Sequence, residues 1–174
     1  MISPLPIKIL QPLWVTPVGR WRGRRLWEHV APFEFLAGDM RFLLPISFRC
    51  DFCSVPRVPG LYEIAGDCGQ EGGAGHDYCY RQGAVMFADG KYWTIPKHIG
   101  DQVLYSLMVH FQDPPDEALR RQMYLAVCIG GGSHFRKMAV LDPIIGPEAS
   151  RYAKAAFGPG QISIVSPSGQ NPLC

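Results

Sequence analysis

The sequence predicts an α+β fold: short antiparallel β-strands and hairpins at the N-terminal end, then a core of two or three helices and an irregular C-terminal tail. Three observations predict it. Pro and Gly divide residues 1–50 into short runs rich in aromatic and β-branched side chains, the pattern of strands. From Pro96 onward, apolar residues recur at helical spacing. Between these parts, residues 54–75 carry Pro56, Pro59, Gly60, Gly66, Gly69, Gly72, Gly73 and Gly75, which argues against a regular element.

The strands are expected at Ile7–Leu10, Leu13–Val15, Arg25–Val30 and Phe33–Leu36, each bounded by Pro or Gly. Gly38-Asp39 reads as a turn, and Met40 to Phe48 as a further strand that Pro45 pushes toward a sheet edge. A short helix is expected from Gly75 to Gln82, with His76 and Asp77 at its start. A stronger one is expected from Pro96 to Phe111, where Val103, Leu104, Leu107, Met108 and Phe111 share one face. Asp113-Pro114-Pro115-Asp116 ends that helix and starts another, which runs to about Ile129 and stops at Gly130-Gly131-Gly132. The chain of 174 residues suits one domain, 1–142. Within it, 1–50 is β-rich, 51–75 a Gly/Pro loop and 76–130 helical, and 143–174 forms a Pro/Gly/Ser-rich tail.

Charge and composition narrow the function classes. Charged residues make up 18% of the chain, below the usual quarter, while Gly (19) and Pro (16) are frequent. That combination suits a loop-rich protein that leans on partner subunits. A net charge of +2 makes nucleic acid an unlikely partner. Arg20, Arg22, Arg24 and Arg25 nevertheless cluster beside Trp21 and Trp27, which fits either an anionic partner or a solvated turn. The N-terminus lacks the pattern of a secretion signal, and no apolar run approaches the ~20 residues that span a bilayer. A soluble chain made in a cytoplasm is therefore expected, with its six cysteines mostly reduced.

The residues best suited to chemistry lie in Gly75-His76-Asp77-Tyr78-Cys79-Tyr80-Arg81, together with Asp101. On a helix, His76 and Tyr80 lie one turn apart and face the same neighbour, while Asp77 points elsewhere. Asp101 lies near the start of the long helix, on the shoulder of its apolar face. A half-buried carboxylate there needs a partner, and His76 supplies one. An Asp–His pair fixes the imidazole tautomer and stabilises the imidazolium formed when the ring accepts a proton. The blander possibility is a hydrogen-bonding device at a helix start.

One further possibility carries less weight. Cys50-Asp51-Phe52-Cys53 with His76 and Cys79 has the residue types of a zinc site, but its spacing is not distinctive. The chain has no Gly-x-Ser-x-Gly elbow, P-loop or dinucleotide fingerprint.

Three motifs in order carry a resemblance over roughly residues 40–130. They are Asp51-Phe52-Cys53-Ser54-Val55-Pro56-Arg57, then His76-Asp77-Tyr78-Cys79-Tyr80-Arg81, then Asp101-Gln102-Val103-Leu104. In this the chain resembles an uncharacterised family found mostly in tailed bacteriophages and prophages. The resemblance implies a phage origin, placement in the virion or the host cytoplasm, and other virion proteins or further copies of the chain as partners.

His76-Asp77-x-x-Tyr80 and the distant Asp101 are also similar to the hallmark of calcium-dependent phospholipases A₂. That similarity implies a pair of antiparallel helices and a lipid surface as partner. His76 is then the base, Asp101 its orienter with Tyr80 beside it, Asp77 a calcium ligand and Asp51 the head of the calcium loop. Calcium is the cofactor implied, and zinc the weaker alternative. Val55-Pro56-Arg57 stands where those lipases are Gly-rich, and their disulfides are not reproduced. Three functions are therefore open: a lipid ester hydrolase, a catalytically silent virion or assembly protein, and a host-directed binding protein.

Overall fold

The structure, a computed structural model, describes residues 2–21, 23–52, 69–82, 84–87, 92–94, 96–133 and 135. The class is α+β. Strands β1 (Ile7–Gln11), β2 (Val15–Trp21), β3 (Arg24–His29), β4 (Phe33–Ala37), β5 (Met40–Leu44) and β6 (Arg49–Cys50) come first. Helix α1 (Gln70–Gln82) follows, then the hairpin of β7 (Ala84–Phe87) and β8 (Tyr92–Thr94). Helices α2 (Lys97–Phe111) and α3 (Glu117–Gly130) complete the order, with a 3₁₀ turn at Gly131–Ser133. The strands form two antiparallel sheets, one ordered β1-β4-β5-β7-β8 and the other β2-β3-β6.

Alternation in β4 and β5 builds the core. Phe33, Phe35 and Ala37 of β4 and Met40, Phe42 and Leu44 of β5 are buried, while the residues between them are not. Phe35 and Phe42 are register partners, and their rings stack with centroids 4.8 Å apart. Gly38, at φ 60°, makes the turn between the two strands, as Gly38-Asp39 led one to expect. β5 is not an edge strand. It ends at Leu44, just before Pro45, and pairs with β4 on one side and β7 on the other. Pro45 therefore stops the strand instead of exposing it. The chain then turns, and β6 joins the other sheet beside β3.

The helices pack as a layered group on this sheet. α1 and α2 run antiparallel. Gly72 lies against Leu104 and Met108, Gly75 against Val103 and Leu107, and Cys79 against Gly100. Gly75 also meets Phe35, which seats α1 on the larger sheet. α2 is buried through its middle, from Gly100 to Met108 except for Gln102, because α1 covers one side and α3 the other. Leu104, Tyr105 and Met108 of α2 meet Leu119, Met123 and Val127 of α3 in a second apolar cluster. Asp116 caps α3 by accepting the Leu119 amide at 2.9 Å. The N-terminal strap is fixed to α2, where the Leu5 amide donates to Ser106 Oγ at 2.9 Å.

Two local expectations are corrected. α1 begins at Gln70, six residues before His76, so His76 and Asp77 lie in mid-helix and cannot act as a helix-start device. The glycines that argued against regular structure are what the packing requires. A Cβ on Gly73 would sit 2.8 Å from the Phe52 carbonyl oxygen, and one on Gly75 would sit 2.7 Å from Leu107 Cδ1. The β7–β8 hairpin was not anticipated. The strand expected at Leu13–Val15 starts at Val15 and continues to Trp21. Among the described residues, no helix is long and apolar enough to cross a membrane.

Gly73→Ala tests this packing. Alanine favours helix by up to about 1 kcal/mol, but its methyl would press on backbone and cost about 1–3 kcal/mol. Urea unfolding should show net destabilisation. Gly132→Ala, whose Cβ would meet nothing within 4 Å, should change little. Equal stabilities would show that the Phe52 segment yields freely.

Candidate functional site

The antiparallel pairing of α1 and α2 brings two of the sequence-predicted residues to the carboxylate of a third. His76 and Tyr80 lie one turn apart on α1, and both face Asp101 of α2. Tyr80 Oη donates to Asp101 Oδ1 at 2.6 Å. His76 Nε2 lies 3.3 Å from the same oxygen, at the long end of hydrogen bonding. The His76 and Tyr80 rings lie 3.9 Å apart between centroids. His76 and Asp101 are each only 1% exposed, so both depend on these partners and not on water.

Sequence reasoning missed Lys97. Its Nζ donates to Asp101 Oδ2 at 2.6 Å and to the carbonyls of Val127 and Cys128 at 2.8 and 3.2 Å. One ammonium thus ties Asp101 to the C-terminal end of α3, where the helix dipole favours a cation. The signal was present as the i,i+4 spacing of Lys97 and Asp101. Gly131, just past α3, closes the same corner. Any side chain there would collide with the Tyr80 hydroxyl. Phe135 packs edge-on against the Tyr80 ring at 5.2 Å.

The electrostatics follow from these contacts. Burial alone would raise the Asp101 pKa, but hydrogen bonds from His76, Lys97 and Tyr80 outweigh it and hold the carboxyl below its ordinary range. Burial dominates at His76 and lowers its pKa. Asp101 opposes that shift, and the Lys97 charge adds to it. The imidazole is therefore neutral at neutral pH. Ionised Asp101 only accepts hydrogen bonds, so the ring proton sits on Nε2 and the lone pair on Nδ1. Nδ1 meets no hydrogen-bond partner among the described residues. Burial also raises the Tyr80 pKa, as does its bond to Asp101, so the phenol stays protonated as a donor.

Asp77 faces away from this group, as its helical position requires. Its carboxylate lies 3.7 Å from the Arg81 guanidinium. Arg81 also donates to the Arg49 carbonyl and lies over the Phe48 ring. Asp51, half-buried just after β6, belongs to the same neighbourhood. After burial, the charges of Asp77 and Asp51 are among the causes that push the Cys50 thiol up. Two carboxylates are fewer than the six to eight oxygens calcium takes, and Arg81 already balances one of them. Among the described residues, no group of three or more His, Cys, Asp or Glu side chains converges as a metal site. Cys53, Cys68 and the calcium-loop segment Val55-Pro56-Arg57 lie outside the described residues. Cys50 and Cys79 are buried free thiols, and burial raises the pKa of both.

His29 is a second buried histidine, packed edge-on against Phe48 with Nε2 4.0 Å from Cys50 Sγ. Burial lowers its pKa to about 4.

Two outcomes follow. His29 and His76 both have folded pKa values below their unfolded ones, so the unfolded chain binds more protons in acid. Stability should be full above about pH 6.5 and fall as pH drops toward 4. At His29 alone the shift corresponds to roughly 3 kcal/mol. His29→Gln should flatten that slope in urea titrations at several pH values, and an unchanged slope would clear His29 of the effect. Asp101→Ala should cost about 3–5 kcal/mol because it strands the Lys97 charge, and Lys97→Met should recover part of that loss in the double variant.

Comparison of the chain with protein-family models, with curated proteins and with solved structures finds no match.

Proposed function

We propose that this chain is a carboxylic ester hydrolase of phage origin that acts on phospholipid of a host membrane, with His76 as general base. The observation that carries the proposal is the set of donors on Asp101. Tyr80, Lys97 and His76 Nε2 together fix the imidazole so that its lone pair is on Nδ1, uncommitted to any described residue.

In the reaction, water and the ester must first be admitted to the buried ring, and Nδ1 then takes a proton from water as the water oxygen attacks the ester carbonyl. Asp101 stabilises the imidazolium. The proton then passes to the leaving alkoxide as the ester C–O bond breaks. Tyr80 and Lys97 touch no reacting atom; they hold Asp101 ionised and in place. Asp77 and Asp51 are the side chains the phospholipase resemblance assigns to calcium, but two carboxylates, one of them beside Arg81, do not make a calcium site, so no step runs through a metal. General-base help from a positioned histidine amounts to ~10²–10⁴ in rate.

A second reading, a catalytically silent virion or assembly protein, is favoured by one observation. Lys97 neutralises Asp101 and ties it to α3, as a structural ion pair would. Finding the chain in purified virions, with no ester hydrolysis by the pure protein, would favour it.

His76→Asn should retain the circular dichroism of the wild type and lower the release of fatty acid from phospholipid vesicles at least ~10²-fold. On the acid side, kcat/KM should rise with pH and level off below about 6.5, since the His76 pKa is depressed. Hydrolysis that survives the substitution would remove His76 from the chemistry. Hydrolysis should be indifferent to a calcium chelator, and its loss in chelator would bring a metal into the chemistry.

A further inference from the structure

The β2–β3 hairpin carries a charge arrangement that the fold does not explain. Arg20 and Arg25 are direct register partners across the two strands, and both are exposed. Like charges placed opposite one another destabilise a strand pair. Neither guanidinium meets a carboxylate among the described residues, and Arg25 lies instead over the Trp27 ring at 5.6 Å. The sequence offers no nearby relief. No Asp or Glu precedes Glu28 in the sequence, which instead adds Arg22 and Arg24, and Glu28 is bonded to Arg49 at 2.6 Å.

The same hairpin exposes apolar surface. β2 is the outer strand of its sheet, and Val18 within it is 40% exposed. Trp14, just before β2, is 59% exposed, and its carbonyl accepts from the amide of Val30, which is 54% exposed. A strand added by a second copy of the chain fits poorly here. Pro17 has no amide to donate, and a bulge between Pro17 and Gly19 breaks the register. A hairpin with Arg20 and Arg25 near its turn and exposed Val18 and Trp14 farther along its outer strand suits a different partner, the interface of a bilayer, where aromatic rings sit at headgroup depth and cations meet anionic phosphates.

We propose that the outer edge of the β2–β3 hairpin docks the chain on a membrane surface rich in anionic phospholipid. Arg20 and Arg25 lie on headgroup phosphates, and Trp14 and Val18 enter the interfacial layer. The proposal rests on the lipid-directed function above and names the surface by which the chain meets its substrate, but binding is measured without hydrolysis.

The test is co-sedimentation of the full chain with vesicles of phosphatidylcholine alone and of phosphatidylcholine mixed with phosphatidylglycerol. Binding should require phosphatidylglycerol and weaken as salt is raised. The double substitution Arg20→Ala/Arg25→Ala should lower partitioning roughly 30-fold. Arg20→Lys/Arg25→Lys should retain most of it, and Trp14→Ala should weaken it in a salt-independent way. Circular dichroism and thermal midpoints matching the wild type exclude misfolding as the cause. Equal binding to both vesicle types, or no loss in the alanine pair, would overturn the proposal. Tighter binding to duplex DNA than to vesicles at the same salt, lost in the alanine pair, would overturn it in favour of nucleic acid. Binding is read without hydrolysis, so a wild-type chain that binds vesicles but releases no fatty acid counts against the catalytic reading alone.

Discussion

A buried carboxylate is affordable only when donors surround it, and Asp101 is the point at which this protein meets that requirement. Removing a carboxylate from water costs several kcal/mol even after the protein relaxes. Three elements share the compensation. α1 supplies Tyr80 and His76, α2 supplies Lys97 one turn before Asp101, and the end of α3 anchors Lys97 through two carbonyls. The relative placement of the three helices is therefore fixed by more than apolar contact. Leu104, Met108, Leu119, Met123 and Val127 would tolerate some sliding, whereas the short bonds to Asp101 set the register of one helix against the next.

The histidine gains its chemical character from the same arrangement. Burial keeps His76 neutral, and an acceptor-only neighbour on Nε2 leaves Nδ1 basic. Lys97 works in both directions. It keeps Asp101 ionised, which orients the ring, and it offsets the negative charge that would stabilise an imidazolium. The balance between those effects separates a working base from a structural hydrogen bond.

Much of this was legible in the sequence, for identifiable reasons. The aromatic run Phe33–Leu36, set between Pro32 and Gly38, announced a strand. The spacing from Val103 to Phe111 announced a helix. His76, Tyr80 and Asp101 could be grouped because helical periodicity puts the first two on one face and a lone acid on an apolar helix needs a partner. What stayed hidden depends on tertiary contact. Gly72, Gly73 and Gly75 read as loop by propensity, and only the closeness of α2 and Phe52 shows why a helix needs them. Pro45 was read as an edge signal, but it merely follows the last paired residue. Lys97 looked like one more surface lysine until α3 placed its carbonyls above it. Pairing between β5 and β7 joins residues far apart in sequence, which no local pattern encodes.

The glycine content of α1 reaches beyond packing. Each such residue disfavours helix in an isolated segment by nearly 1 kcal/mol relative to alanine, so this stretch has little helical order until its neighbours close around it. His76 and Tyr80 acquire their common direction only at that moment. During synthesis, and in any partly unfolded form, the imidazole is an ordinary solvated side chain with no oriented lone pair. The oriented imidazole is therefore a property of the finished assembly, absent from any form in which the α1–α2 contact has not yet closed.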